Sequence, residues 1–338
     1  MLDHGGRLNA AAAAYGITRA DWLDLSTGIN PLPWPVPALP SACWQRLPED
    51  DDGLEAAAAR YYGNPNLLPT AGSQAAIQVL PRLFPPSVVA CISPIYNEHP
   101  QAWSRAGHRL RFLQQATLPR AVAAMTPVVL LCNPNNPTAD RHPRELVVAA
   151  AAQLKQRGGW LVVDEAFVDP EPDHSVTPLA GTGEAPNLVV LRSLGKFFGL
   201  AGARLGFVFA APDLLGRLAE AIGPWSVPGP TREAGRRALE DAAWQDAART
   251  GLAAAGRRLQ ALLAPFGPVA ATPLFAALTS PRAGDLHEFL ARRGILTRRF
   301  EQQPILRFGL PGAEAEWQRL AAALADWSTT CAEPAASS

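Results

Sequence analysis

One lysine stands out in the segment VVLRSLGKFFGLAGARLGFVF, which covers residues 189–209. Lys196 follows an apolar run typical of a strand and precedes apolar and small residues, and Arg204 comes eight positions after it. Such surroundings partly desolvate an amine, and burial lowers the pKa of an amine and makes it nucleophilic toward an aldehyde. A lone lysine is more often a solvated surface charge, so the meaning of Lys196 depends on the groups that the fold brings near it.

Three further polar segments stand at the ends of predicted elements. TAGSQAAI (70–77) contains a Gly-Ser-Gln turn that opens a helix, where free N–H groups and the helix dipole favour a phosphate; the alternative is an ordinary serine cap. CNPNNPTAD (132–140) follows a strand, and its loop either presents an amide to a ligand or is simple turn chemistry. Asp164 ends an apolar strand, where it either meets a cationic partner or caps a turn.

Apolar runs predict the elements that position these groups. Buried strands of a parallel or mixed sheet are expected at residues 88–93, 128–133, 160–166, 188–193 and 205–210. Residues 142–159 between them predict a helix that ends at a glycine pair. The alternation indicates an α/β fold with a mostly parallel mixed sheet flanked by helices. Ligands of such sheets bind beyond the carboxyl ends of the strands, where the polar segments lie.

The same patterns predict two domains. Residues 45–235 are expected to form the large sheet domain, and residues 1–44 and 236–328 a smaller α+β domain. Long helices are expected from Gly229 to Pro265, with short strands in LFAALTS and PILRFGL further on. Residues 329–338 are small and polar, which predicts a disordered tail.

Composition excludes several classes of protein. The chain has 338 residues, 30 basic and 30 acidic, so it lacks the broad positive surface that nucleic acid requires. No run is apolar and long enough to span a bilayer, and the N-terminus has no apolar signal core. The four cysteines lack the paired spacing of zinc or redox motifs. We therefore expect a cytoplasmic protein that binds no nucleic acid, membrane or metal.

Together, the phosphate-binding turn, the asparagine loop, the strand-end aspartate and the lysine are the groups needed to hold pyridoxal 5'-phosphate (PLP). The lysine forms a Schiff base with this cofactor, the aspartate keeps the pyridine nitrogen protonated, and the turn binds the phosphate. With these motifs in this order, the chain resembles the fold-type I PLP enzymes of the class I and II aminotransferase superfamily. The resemblance covers nearly the whole chain.

This resemblance implies a role for each matching residue. Lys196 would attach the cofactor, Asp164 would pair with the pyridine nitrogen, and Asn136 would bind the ring hydroxyl oxygen. Arg307 in PILRFGL matches the arginine that binds the substrate carboxylate, which suits a bidentate guanidinium. The residues that match phosphate ligands are Gly72, Ser73, Gln74, Ser193 and Arg204.

Several positions depart from the usual pattern of the superfamily. The ring-stacking aromatic usually ends a P-x-[FY]-x-x-Y motif, and here PIYNEH places His99 there, with Tyr96 as the alternative. Phe167 stands where many relatives carry a tyrosine whose hydroxyl donates to the ring oxygen. Ala139 replaces the glycine of the usual NPTG, and Gly195 replaces the Ser or Thr often found before the lysine.

The N-terminus narrows the choice within the superfamily. DHGGRLNAAAAAYGI followed by WLDLSTGINPLPWP resembles the start of the threonine-phosphate decarboxylases of cobalamin biosynthesis. This resemblance implies decarboxylation of L-threonine O-3-phosphate to (R)-1-aminopropan-2-yl phosphate. It also implies that His4, Asn30 and Arg307 lie near the substrate, and that the enzyme is a homodimer, because the superfamily builds its sites between two subunits.

Two other functions are compatible with part of this pattern. Histidinol-phosphate aminotransferases share most cofactor residues, but they carry a tyrosine in an RYP segment where this chain has QRLP, with Leu47 in its place. Decarboxylation and transamination differ in which Cα bond stands perpendicular to the cofactor ring, and the sequence does not fix that torsion. A transcription regulator with an aminotransferase-like domain would need a preceding DNA-binding module, for which we see no room.

Overall fold

The computed structural model of the chain describes residues 5–124, 126–301 and 303–332. The described helices are α1 (Leu8–Tyr15), α2 (Ala42–Gln45), α3 (Leu54–Tyr62), α4 (Ser73–Val79), α5 (Glu98–Arg105), α6 (Leu118–Ala123), α7 (Arg144–Lys155), α8 (Leu194–Phe197), α9 (Pro212–Ile222), α10 (Gly229–Glu240), α11 (Ala242–Leu263), α12 (Ala283–Ala291) and α13 (Glu314–Ala332). The described strands are β1 (Leu23–Asp24), β2 (Leu67–Thr70), β3 (Val88–Ser93), β4 (Arg109–Gln114), β5 (Val128–Cys132), β6 (Trp160–Asp164), β7 (Leu188–Ser193), β8 (Gly206–Phe209), β9 (Val269–Thr272), β10 (Phe275–Thr279), β11 (Ile295–Leu296), β12 (Arg298–Phe300) and β13 (Ile305–Gly309).

These elements fall into two compact units. The large unit comprises residues 33–136 and 140–250, and the small unit comprises residues up to 32, residues 137–139 and residues from 251 onward. These bounds differ from the predicted domain limits, because residues 33–44 and 236–250 belong to the large unit. No helix among the described residues is both long and apolar enough to cross a membrane.

A seven-stranded sheet forms the centre of the large unit, in the order β2-β8-β7-β6-β5-β3-β4. Neighbouring strands in the part β7-β6-β5-β3-β4 are parallel to each other, whereas β8 runs antiparallel to both β7 and β2. This arrangement confirms the predicted mostly parallel mixed sheet. The apolar runs also confirm the predicted strands, with ends that differ by one or two residues in places.

The strand sequences explain why this sheet is central. Every residue of β5, β7 and β8 is buried, because apolar side chains on both faces need cover on both sides. On one face Val89, Leu130 and Val162 pack with Ile77 of α4 and Leu218 of α9. Parallel pairing then brings the carboxyl ends of β3, β5, β6 and β7 to one edge of the sheet.

A buried ion cluster lies at this edge. Arg192 of β7 donates hydrogen bonds to Asp169 at 2.7 Å and to Glu165 at 3.1 Å, and all three side chains are almost completely buried. Ser175 and Thr177 donate further hydrogen bonds to Glu165. Burial lowers the pKa of Arg192, but the two carboxylates outweigh this effect and raise the pKa overall. The guanidinium therefore stays charged inside the protein.

The small unit contains an antiparallel sheet in the order β12-β13-β10-β9 and a parallel pair of β1 with β11. Strands β10 and β13 confirm the two strands predicted in LFAALTS and PILRFGL. The N-terminal segment packs closely on β13, because the Gly309 N–H donates to the Leu25 carbonyl at 2.7 Å and a Cβ at Gly309 would lie 2.1 Å from the Thr27 oxygen. Helix α13 extends to Ala332, so residues 329–332, predicted as the start of a disordered tail, are helical instead. Residues 333–338 lie outside the described part of the chain.

Candidate cofactor site

The start of α4 forms a cradle of backbone N–H groups. Gly72 precedes the helix with φ +72°, a conformation that glycine adopts without strain. A Cβ at Gly72 would lie 2.7 Å from Arg204 Nη2, and a Cβ at Gly206 would lie 2.4 Å from the Ser73 backbone nitrogen. Both glycines therefore let a guanidinium and a helix N-terminus approach one another, which is an arrangement suited to a phosphate.

Two more of the predicted phosphate ligands border this cradle. Ser193 ends β7 and pairs with Gly206 across the β7–β8 ladder. Gln74 lies in the first turn of α4, but its side-chain amide donates to Glu98 at 2.7 Å. The role of Gln74 rests on its position at this helix N-terminus and stays a prediction. Arg204 has φ +55°, an unusual backbone conformation for a side chain of this size.

Asp164 is held from two sides at the carboxyl end of β6. Its Oδ1 accepts a hydrogen bond from the Ala166 N–H at 3.0 Å, and its Oδ2 lies 2.7 Å from Nε2 of His99. Both side chains are buried. The sequence predicted that Asp164 either meets a cationic partner or caps a turn and that His99 stacks on a ring. It did not predict that the two residues contact each other. Stacking by His99, with Tyr96 as the alternative, stays a prediction.

Lys196 lies in α8, one turn beyond the end of β7. Its Nζ is 5.5 Å from the ring centroid of Phe167, a buried residue three positions after Asp164. The structure thus brings Lys196 to the segment that carries Asp164 and Phe167.

Asn136 lies in the loop after β5, and hydrogen bonds hold this loop against neighbouring segments. The Asn133 N–H donates to the Asp164 carbonyl at 2.9 Å, and the Asn135 side chain donates to the Pro94 carbonyl at 2.8 Å. Ala139, which replaces the usual glycine, has φ +64°, so the backbone keeps a conformation that glycine adopts more easily. The loop after β5 is therefore held against the ends of β6 and β3.

Arg307 and Asn30 are buried in the small unit. Arg307 Nη2 donates to the Ser26 carbonyl at 2.8 Å, and its guanidinium lies 5.3 Å from the ring centroid of Phe275. Asn30 Oδ1 accepts from the Leu32 N–H at 2.9 Å. His4, the third predicted substrate residue, lies outside the described residues.

A second arginine stands opposite Arg307. Arg298 of β12 is its direct partner in the antiparallel β12–β13 ladder. Side chains directly opposite one another in an antiparallel pair lie on the same face of the sheet. The sequence analysis missed Arg298, although two arginines flanking a short hairpin were visible in RRFEQQPILR.

The ligand atoms of His99, Cys132 and Asp164 lie within 4.8 Å of one another, a grouping that the cysteine spacing did not predict. Burial and the nearby Asp164 raise the pKa of the Cys132 thiol well above its ordinary value. The hydrogen bond between His99 and Asp164 joins two members of this cluster.

Comparison with known proteins identifies the family. The model of the family "Aminotransferase class I and II" matches residues 47–324. A threonine-phosphate decarboxylase of Pseudomonas aeruginosa is 52% identical over 96% of this chain and 97% of its own length. One from a Sinorhizobium species is 42% identical over 95% of this chain and 97% of its own length.

The chain belongs to the class I and II aminotransferase family. A solved histidinol-phosphate aminotransferase from Sinorhizobium meliloti, in complex with pyridoxal-5'-phosphate, superimposes with a TM-score of 0.82 at 23% sequence identity. That match covers 98% of this chain and 96% of the other, and at this identity it supports the fold.

The residues of this family member fit PLP. The cradle at Ser73 and Arg204 suits the phosphate, the buried Asp164 carboxylate suits a protonated ring nitrogen, and Lys196 supplies an amine for the aldehyde. A side chain at Gly206 would fill the cradle, because its Cβ would meet the Ser73 nitrogen at 2.4 Å.

We expect Gly206→Ala to weaken PLP binding. The added methyl overpacks the cradle at a cost of about 1–3 kcal/mol, which corresponds to roughly ten- to a hundredfold in dissociation constant. Gly202→Ala is the matched control, since a Cβ there meets no atom within 4 Å. Titration of the two apoproteins with PLP makes the comparison, and equal affinities would show that the Gly206 side of the turn does not bind the cofactor.

Proposed function

We propose that the chain catalyses the PLP-dependent decarboxylation of L-threonine O-3-phosphate to (R)-1-aminopropan-2-yl phosphate for cobalamin biosynthesis. The observation that carries the proposal is the 52% identity to the Pseudomonas aeruginosa threonine-phosphate decarboxylase, which extends over 96% of this chain. The candidate site supports the proposal, because it offers a cradle for the cofactor phosphate, a carboxylate for the ring nitrogen and an amine for the aldehyde.

PLP supplies an electron sink for the electrons left at the substrate Cα when the carboxyl group departs. In this proposal Nζ of Lys196 would hold the cofactor, and in its protonated form it would give Cα the proton that takes the place of the carboxyl group. The Asp164 carboxylate holds a proton on the ring nitrogen. Asn136 binds the ring oxygen, and Phe167 packs beside Lys196 without offering a hydroxyl.

The cofactor phosphate is assigned to the turn and strand end described above. Its proposed ligands are Gly72, Ser73, the backbone of Gln74, Ser193 and Arg204. Because Arg204 carries a full positive charge, it neutralises part of the phosphate charge and forms charge-assisted hydrogen bonds.

The substrate is a small molecule with a carboxylate and a phosphate. We assign Arg307 to the substrate carboxylate and Arg298 to the substrate phosphate, since the two residues are paired across β12 and β13. Asn30 and His4 are the further proposed substrate residues.

One assay tests the proposed reaction. Purified enzyme loaded with PLP is expected to release carbon dioxide from L-threonine O-3-phosphate without any added 2-oxo acid. Lys196→Ala is expected to release none, because no other amine takes its place. Amino transfer from histidinol phosphate to 2-oxoglutarate, with no carbon dioxide from threonine phosphate, would establish the aminotransferase alternative instead.

A second prediction concerns the arginine pair. Arg307→Leu and Arg298→Leu are each expected to weaken substrate binding at least roughly tenfold, because each removes a charge-assisted hydrogen bond worth about 1.5–3 kcal/mol. Arg299→Leu is the matched control, since Arg299 is exposed and points to the opposite face of β12 from Arg298. The affinity for PLP is expected to stay unchanged in all three. Wild-type substrate affinity in the first two variants would exclude the pair from the site.

We also propose that the enzyme is a homodimer. In the large unit Trp44 and Trp225 are 69% and 59% exposed, which is costly for tryptophan in water. They belong to neighbouring segments, because a Cβ at Gly229 would lie 2.4 Å from the carbonyl oxygen of Cys43. A second copy of the chain would cover both rings, and sedimentation of the purified protein at the monomer mass of 36.0 kDa would contradict this.

The proposed location is the cytoplasm. Cys43, Cys91 and Cys132 are free thiols in the described part of the chain, and burial raises the pKa of Cys91 to about 12. Free thiols suit a reducing compartment. Recovery of the native protein from an oxidising compartment on cell fractionation would contradict the assignment.

A further inference from the structure

The contact between His99 and Asp164 joins two elements of the large unit. His99 lies in the first turn of α5 and is 1% exposed, and Asp164 ends β6 and is 5% exposed. Their closest atoms, Nε2 and Oδ2, are 2.7 Å apart. A carboxylate oxygen only accepts hydrogen bonds, so Nε2 of His99 carries the hydrogen and donates it.

We infer that His99 is a positioning residue that acts on PLP through Asp164. The inference rests on the proposed cofactor role of Asp164. The two oxygens of the carboxylate are held by donors from different elements, Oδ1 by the Ala166 N–H and Oδ2 by His99. Two such donors fix the rotation of the carboxylate about its Cβ–Cγ bond. Each oxygen keeps a second lone pair, so the carboxylate can still accept the N–H of a pyridinium ring.

Without the His99 donor, Asp164 would be a buried charge held on one side only. A buried carboxylate that loses a hydrogen-bond donor raises the free energy of the folded apoprotein. It is also free to rotate away from the direction in which it would meet the ring nitrogen of the cofactor. The donor therefore orients the group that binds the ring nitrogen. This role differs from stacking, which depends on the aromatic face of His99 and not on its Nε2 hydrogen.

Two substitutions separate these roles. His99→Phe keeps an aromatic ring and removes the donor, whereas His99→Gln removes the ring and keeps a side-chain N–H that reaches about as far as Nε2. Titration of each apoprotein with PLP is expected to show roughly ten- to a hundredfold weaker binding for His99→Phe. His99→Gln is expected to bind PLP within about threefold of wild type. The opposite order would show that the ring acts by stacking and would overturn the inference.

A double-mutant cycle tests whether His99 acts through Asp164. In an Asp164→Ala background, His99→Phe is expected to cause no further loss of PLP affinity, because its partner is already gone. An undiminished loss in that background would overturn the inference.

If Asp164→Ala binds PLP too weakly to measure, the same double-mutant cycle can be carried out on the melting temperatures of the apoproteins. His99→Phe is expected to lower the melting temperature when Asp164 is present and not when it is absent, and equal shifts in the two backgrounds would overturn the inference. Neither measurement uses a substrate. A failure here is therefore distinct from a failure of the proposed decarboxylation, which the carbon dioxide assay decides.

Discussion

The buried ion pairs of Arg192 with Glu165 and Asp169 connect the two strand ends on which the cofactor site is built. Arg192 is next to Ser193 in β7, and Glu165 is next to Asp164 at the end of β6. Because neighbouring residues of an extended chain point in opposite directions, each strand end directs one side chain into the cluster and the next toward the candidate site. Removing one member would leave buried charge without a partner, which is far more costly than losing a surface ion pair. The cluster therefore constrains where Asp164 and Ser193 can lie.

The two units supply different chemistry. The large unit gathers Lys196, Asp164 and the phosphate cradle at the carboxyl edge of its sheet, and most of this site depends on backbone geometry. The small unit supplies the arginine pair on a hairpin, where the register decides which side chains are neighbours.

The strands and the main site residues could be predicted because their signals are local. Continuous apolar runs predict buried strands, and a polar residue at the end of such a run is placed at the ligand-binding edge by the geometry of parallel sheets. Lys196 and Asp164 were selected in this way and their roles stay predictions, whereas the family indicated by the order of motifs is confirmed.

The remaining features depend on contacts between distant residues. The His99–Asp164 hydrogen bond joins positions 65 residues apart, and the Arg298–Arg307 pairing depends on a hairpin register that no local pattern encodes. The hydrogen bond from the Gln74 side chain to Glu98 likewise depends on the packing of α4 beside α5. The domain limits were also missed, because helices such as α10 are equally compatible with either unit on periodicity alone.

The most direct test of this account is the free energy of unfolding of the Arg192→Met apoprotein, measured by urea denaturation. Methionine matches much of the volume of arginine but leaves Glu165 and Asp169 buried without their cation, so we expect a loss of about 3–5 kcal/mol. Arg46→Met is the control, because its ion pair with Glu49 is exposed and its removal should change stability by less than about 1 kcal/mol. An Arg192→Met protein as stable as the Arg46→Met control would contradict the claim that the buried ion cluster holds the strand ends of the site.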